Sequence, residues 1–222
     1  MKVFIVYWHP EPQSFNHAMF ETAVNTFKEM GAEVKTSDLF EMNFDPVSSR
    51  KNFKTVKNPD FFKPPLEERH ATKTNSFSDE IETEIAKMEW CDLMIWQFPL
   101  WWFGLPAVLK GWVDRIFAQS RCYSHARIFE NGVFKGKKAM LSTSTGASIE
   151  AFRTGGLAGD PIKILSPIHR GIFRFTGYDV LMPHIVHAPE RMTEEARKYE
   201  LSRYSKRLQR IKNEKFLEVA GF

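Results

Sequence analysis

The sequence predicts an open α/β fold, a doubly wound five-stranded parallel sheet with helices on both faces. Short unbroken apolar runs, rich in β-branched and aromatic residues, recur along the chain. Each is followed by a polar loop and then by a segment with helical apolar spacing. Strands buried on both faces read as continuous apolar runs, and their alternation with helices is the pattern of a parallel sheet. Such folds bind ligands outside the carboxyl ends of their strands, so the loops that follow the strands are where function is sought.

Val3 to Tyr7 is the first strand, followed by polar HPEPQS. A helix runs from about Ser14 to Met30, where Phe20, Ala23, Val24, Phe27 and Met30 keep helical spacing and Gly31 stops it. Ala32 to Leu39 reads as the second strand. From Asp45 to Ser78 periodicity is lost, in an insertion with four prolines and many charges. An irregular segment of that length in a compact domain is functional or wraps a neighbour. Helix resumes in SDEIETEIAKMEW, with Asp79 and Glu80 in the first turn, where they complement the helix dipole. CDLMIWQFP is the third strand, GLPAVLKGWVDRIF a helix (Val108, Trp112, Ile116), and KKAMLSTSTG a fourth strand running into a loop. DPIKILSPIHRGIFRFTG reads as a bent helix with Pro167 inside it, and YDVLMPHIV as the fifth strand. A last helix, from about Thr193 to Asn213, carries Leu201, Tyr204, Leu208 and Ile211 on one face.

The bulk composition narrows the function classes. At 222 residues the chain fits one domain, residues 1–222, with the insertion at about 45–78 inside it. An apolar fraction of 43% and a charged fraction of 26% are those of a globular protein in water. No stretch approaches the ~20 apolar residues of a membrane span. The N-terminal apolar run, Val3 to Trp8, is too short for a signal peptide, so a cytoplasmic location is expected. Cys91 and Cys122 are too few for a disulfide framework and have no CxxC spacing. Arg203, Lys206, Arg207, Arg210, Lys212 and Lys215 hold much of the +4 charge. They read as the solvated face of an amphipathic helix, not as a nucleic-acid or membrane surface.

Three loops carry chemistry. After the first strand, Ser14 is placed to cap a helix, which leaves the backbone N–H groups around Phe15 and Asn16 free for an anion, with His9 as a further donor. An ordinary capped turn has the same pattern, and no glycine-rich dinucleotide fingerprint is present. After the third strand comes Pro99-Leu100-Trp101-Trp102-Phe103-Gly104. One element cannot bury all of these consecutive rings, so at least one is expected to line a cleft, an aromatic core plug being the other reading. After the fourth strand, Ser144-Thr145-Gly146-Ala147 offers small residues whose amides could approach a flat ring, although a hydroxyl-rich turn reads the same.

With the three loops in order, the chain resembles the NAD(P)H:quinone reductases, the DT-diaphorase family. The resemblance lies in HPEPQSFNHAM, SDLFEMNFDPVSSRKNF, DLMIWQFPLWWFGLPAVLKGWVDRIF and ILSPIHRGIFRFTGYDVL, and extends over nearly the whole chain. It implies a flavodoxin-like fold and a homodimer with the active site at the interface. Each subunit would hold one FAD, with FMN possible, and NAD(P)H would serve as co-substrate. The implied reaction is ping-pong hydride transfer through flavin to a quinone or related small electrophile. A long C-terminal extension typical of some members is missing or very short, so the shorter members are the better match.

By that resemblance His9, Ser14, Phe15 and Asn16 would hold the phosphates and ribityl chain. Pro99, Leu100, Trp101, Trp102 and Phe103 would flank the isoalloxazine; Ser144, Thr145, Gly146 and Ala147 would bond its pyrimidine edge; Arg197 would approach the adenine end. Trp102 and Phe103, with Tyr123, His125 and Phe175 of a partner copy, would form the substrate pocket. The family's active loop also carries a tyrosine and, six residues on, a histidine. Here those positions hold Phe152 and Ala158, so that relay is not carried over. Phenylalanine donates no hydrogen bond, so developing charge would be met by backbone amides near Gly146 and Ala147 or by water; those amides, with the Tyr123 and His125 that the resemblance implies, are the catalytic groups expected.

Some shorter members hold a metal through two histidines and a cysteine. The matching helix here has Arg170 and Arg174, and His184 and His187, three apart on a strand, would face opposite ways. No structural metal is expected. A second functional reading is a flavin-binding ancillary subunit of a potassium efflux system, for which loss of the relay would be tolerable.

Overall fold

The computed structural model describes residues 1–219. Strand β1 (Lys2–Tyr7) lies between β2 (Glu33–Asp38) and β3 (Leu93–Pro99), and β4 (Lys138–Thr145) pairs with β3. The fifth position is shared by β5 (Asp179–Val180) and β6 (His184–His187), both paired with β4, and every pairing is parallel. This is the flavodoxin-like order, with a topological switch where the chain leaves β1 for β2 and returns on the other side as β3.

The expected fifth strand is therefore broken. Ala139 pairs Val180 and Ser142 pairs His184, so Leu181, Met182 and Pro183 face only Met140 and Leu141. Pro183 has no N–H for the ladder, and the extra residue bulges out there.

Alternation along the strands sorts the core into two layers. Val3, Ile5, Leu93 and Ile95 pack under α1 (Phe15–Glu29) and α7 (Glu194–Leu208), against Met19, Phe27, Tyr204 and Leu208. Phe4, Val6, Met94, Trp96 and Phe98 point the other way. They pack with Ile81, Ile85 and Met88 of α3 (Asp79–Trp90) and Leu109, Trp112 and Ile116 of α4 (Ala107–Ile116). Helix α1 is defined at both ends. The Ser14 hydroxyl accepts from the His17 amide, and Gly31, at φ 70°, closes the helix with bonds from its own amide to Lys28 and from the Ala32 amide to Phe27.

Two further regions depart from the sequence expectation. The segment 45–78 is not irregular throughout, because Pro64–Thr74 forms helix α2. Its two prolines occupy the first positions, where a missing N–H is harmless, and Asn75 caps it in the left-handed conformation. The preceding strap is held by a buried cation. Arg115 donates through Nε to Asn52 (2.8 Å) and through Nη1 to the Asp45 carbonyl (2.7 Å), and it pairs with Glu80 at 2.7 Å. Gly111 of α4 lets the strap pass, since a Cβ there would lie 2.3 Å from the Pro46 carbonyl oxygen. The bent helix is three pieces, α5 (Pro161–Ile164), α6 (Ser166–Ile168) and a π-helical turn His169–Arg174. The basic side chains of α7 are partly paired, Arg203 with Glu200 and Arg207 with Glu214. Among the described residues no helix is long and apolar enough to cross a membrane.

Two histidines are sealed in the core. Among the described residues neither ring nitrogen of His169 has a partner, and His184 stacks on Tyr204 at 4.3 Å. Burial pushes their pKa values down, to about 4 for His169 and about 3 for His184, where Arg207 and Arg203 add to the effect. The unfolded chain titrates its histidines near 6.5, so it binds more protons than the native state between that pH and the folded values. Stability is thus full above pH ~6.5 and falls below it, by up to ~1.4 kcal/mol per pH unit for each histidine. Thermal melts of the wild type and His184→Phe between pH 4 and 8 should show a shallower acid-side slope in the variant.

Candidate active site

The carboxyl ends of β1, β3 and β4 open into a cleft of about 850 Å³. The first loop supplies His9, Gln13, Ser14, Phe15 and Asn16 to its wall. Because the Ser14 hydroxyl is engaged at His17, the amides of Phe15 and Asn16 have no protein acceptor among the described residues. They sit at the positive end of α1, a donor set suited to phosphate oxygens. His9 Nδ1 lies 3.0 Å from the Glu11 amide, leaving Nε2 for a ligand, and burial holds the ring below its ordinary pKa.

The second loop supplies Pro99, Leu100, Trp101 and Trp102. A tight turn closes with the Gly104 amide donating to the Trp101 carbonyl at 2.9 Å, and Trp102 (φ 51°) and Phe103 (φ 57°) are both left-handed. Bulky residues rarely adopt that conformation, at about 1–3 kcal/mol each. The turn leaves Trp102 99% exposed, while Trp101 packs edge-on to Trp8 at 5.2 Å. A wide apolar face is thereby offered to whatever enters.

The third loop supplies Ser144, Thr145 and Gly146. A Cβ on Gly146 would meet only Glu190 Oε1, at 3.9 Å, so the backbone there is open to a flat ligand. The loop after β6 adds Pro189 and Glu190, and α7 adds Arg197, held by the carbonyls of Met192 (2.7 Å) and Pro189 (3.4 Å).

Beneath the floor runs a buried hydrogen-bond chain. Gln97 Nε2 donates to Asn16 Oδ1 at 2.7 Å, and Asn16 Nδ2 donates to the Ser144 hydroxyl at 2.7 Å. One residue from each of the three loops or their strands is thus tied to the next. The Leu100 amide adds a bond to the Ser144 carbonyl at 2.9 Å.

Of the residues singled out from the sequence, the cleft gathers His9, Ser14, Phe15, Asn16, Pro99, Leu100, Trp101, Trp102, Ser144, Thr145, Gly146 and Arg197. Phe103, Ala147 and Phe152 lie outside its lining: Phe152 packs against Phe103 at 6.1 Å and against His187 at 5.6 Å. Tyr123 and Phe175 form a separate aromatic group with Phe129, and His125 is exposed next to it. A single chain does not bring these three to its own cleft. His184 and His187 face different surroundings, Tyr204 and Thr145 respectively.

The sequence reading missed Gln13, Pro189, Glu190 and Gln97. The usable signal for Gln97 was an amide inside an otherwise apolar strand, LMIWQFP. Pro189 and Glu190 follow the last strand, where no glycine, hydroxyl or aromatic cluster marks the loop.

A family model described as a flavodoxin-like fold matches residues 1–208. The chain is 40% identical over 211 residues to ribosyldihydronicotinamide dehydrogenase (quinone) of Homo sapiens, covering 95% of this chain and 91% of that protein. It is 40% identical over 220 residues to NAD(P)H dehydrogenase (quinone) 1 of Rattus norvegicus, covering 99% and 80%. A solved chain from Klebsiella pneumoniae, described as a candidate quinone reductase, superposes with a TM-score of 0.90 at 31% identity, covering 97% of this chain and 86% of that one.

Replacing Asn16 with Ala would leave Gln97 Nε2 only its 3.8 Å contact to Met19 Sδ and leave Ser144 without its donor. The expected loss of stability is about 1–3 kcal/mol, read as a lower denaturant midpoint at unchanged slope.

Proposed function

The chain belongs to the flavodoxin-like NAD(P)H:quinone oxidoreductase family, and we propose that it is an FAD enzyme that carries electrons from NAD(P)H to a quinone or related electrophile. The observation that carries the reading is the cleft itself, where unpaired helix amides, an aromatic wall and an open glycine backbone converge on one 850 Å³ space. The chemistry FAD supplies when bound is two-electron transfer, from NAD(P)H in one half-reaction and to the quinone in the next.

The chain's own residues bind, orient and exclude water. The Phe15 and Asn16 amides would take the phosphates, with His9 Nε2 as a further donor. Trp101 and Trp102 would cover the ring system. The Gly146–Ala147 backbone would meet charge developing at the pyrimidine edge, because Phe152 and Ala158 carry no donor there. FAD is favoured over FMN by the far end of the cleft. There Arg197, its guanidinium immobilised by the Met192 and Pro189 carbonyls, suits the adenine end or the second phosphate.

A homodimer is part of the reading. Trp102 and Leu157 are almost fully exposed, and Phe103 and Ile149 are more than half exposed, an apolar group unusual for a surface left in water. Tyr123, His125 and Phe175 lie away from their own cleft and are supplied, in this reading, to that of a second copy. No observation favours the ancillary-subunit reading.

The purified protein is expected to be yellow, to bleach anaerobically with NADH or NADPH, and to recolour with a quinone. A flavin that stays oxidised with both nicotinamides would overturn the proposal. Arg197→Ala should weaken FAD about ten-fold, or ~1.4 kcal/mol, and leave FMN affinity unchanged, which calorimetric titration of apoprotein would measure.

A further inference from the structure

His187 ends β6 beside Thr145, the last residue of β4, and their pairing brings the imidazole behind the Gly146–Ala147 turn. The Thr145 hydroxyl donates its one proton to the Ala147 carbonyl at 2.8 Å. It lies 3.0 Å from His187 Nδ1 and, with its proton already committed, can only accept there. Burial holds the His187 pKa below its ordinary value, so at neutral pH the ring carries a single N–H. That N–H must be on Nδ1. The tautomer is fixed by the bond, and Phe152 covers the ring at 5.6 Å.

We propose that His187 is a positioning residue. Through Thr145 it anchors the Ala147 carbonyl, and with it the Ala147–Ser148 peptide plane, which fixes the turn so that the backbone at Gly146 and Ala147 meets negative charge at the cleft in place of side-chain donors at 152 and 158. The Ala188 amide, donating to the Thr145 carbonyl at 2.7 Å, holds the same two strands together and leaves the hydroxyl free for this role. The inference rests on the flavin reading above, since it concerns what the turn does to a bound ring.

The test compares wild type with His187→Phe, His187→Asn, Thr145→Val and the double variant His187→Phe/Thr145→Val. Asn places an amide donor near the Nδ1 position, so it should restore what Phe removes. Nitrogen NMR of the isolated protein should find His187 protonated at Nδ1 at pH 7.5, with the resonance moved by Thr145→Val. His187→Phe should weaken binding of reduced FAD about ten-fold more than oxidised FAD, which lowers the two-electron midpoint potential by about 30 mV. Thr145→Val should give the same shift, the double variant no more than either single, and His187→Asn the wild-type value. An Nε2–H tautomer, a His187→Phe potential equal to wild type, or additive shifts in the double variant would overturn the inference. Should the wild type bind no flavin, the functional reading falls, and the tautomer with its response to Thr145→Val decides the positioning role by itself.

Discussion

Three strand ends meet over the buried amide chain from Gln97 through Asn16 to Ser144, and the geometry of the cleft depends on it. In a site closed to water an unpaired amide is costly, so each link fixes the next. Asn16 belongs to the first turn of α1, so the same bonds that join β3 to β4 also set the direction in which that helix points its free amides. The sheet could form without this chain. A cleft with its phosphate-binding end aimed along the carboxyl edge could not be held so firmly.

The second constraint is a charge. Arg115 is 5% exposed yet is satisfied on three sides, by Asn52, the Asp45 carbonyl and Glu80, with the Phe44 ring 4.7 Å beneath it. Few apolar residues anchor the strap from 45 to 63, so polar contacts do. Removing such a cation would leave several partners unpaired at once, whereas trimming a surface ion pair such as Lys110–Asp114 would change little.

The central strands were legible because β1, β3 and β4 are buried on both faces, which makes composition alone diagnostic. Helices α1, α3, α4 and α7 were legible from spacing and end signals. Helix α2 was not, because Pro64 and Pro65 read as breakers when they in fact begin it, and Glu67 and Glu68 face inward, against the usual sense of charge. The break in the last strand was hidden in Pro183, a residue that could also have sat at a strand edge. In the site, residues on loops after long apolar runs could be found. Gln97 stood out as the one amide of an apolar strand, but its partners Asn16 and Ser144 are distant in sequence, so its place in the site was not legible. Tyr123, His125 and Phe175 do not reach the cleft of their own chain, and no local signal in the sequence places them in it or away from it.

Sequence drift at the Trp101–Gly104 turn runs against a gradient. At Trp102, glycine or asparagine would relieve the left-handed backbone, remove a ring that water surrounds on nearly every side, and leave a more stable chain. A population selected only for thermal stability would shed that tryptophan early. With Trp102 covering a bound ring system, as proposed, selection for recognition at the turn opposes selection for folding, and laboratory evolution under heat alone would expose that opposition at position 102 first.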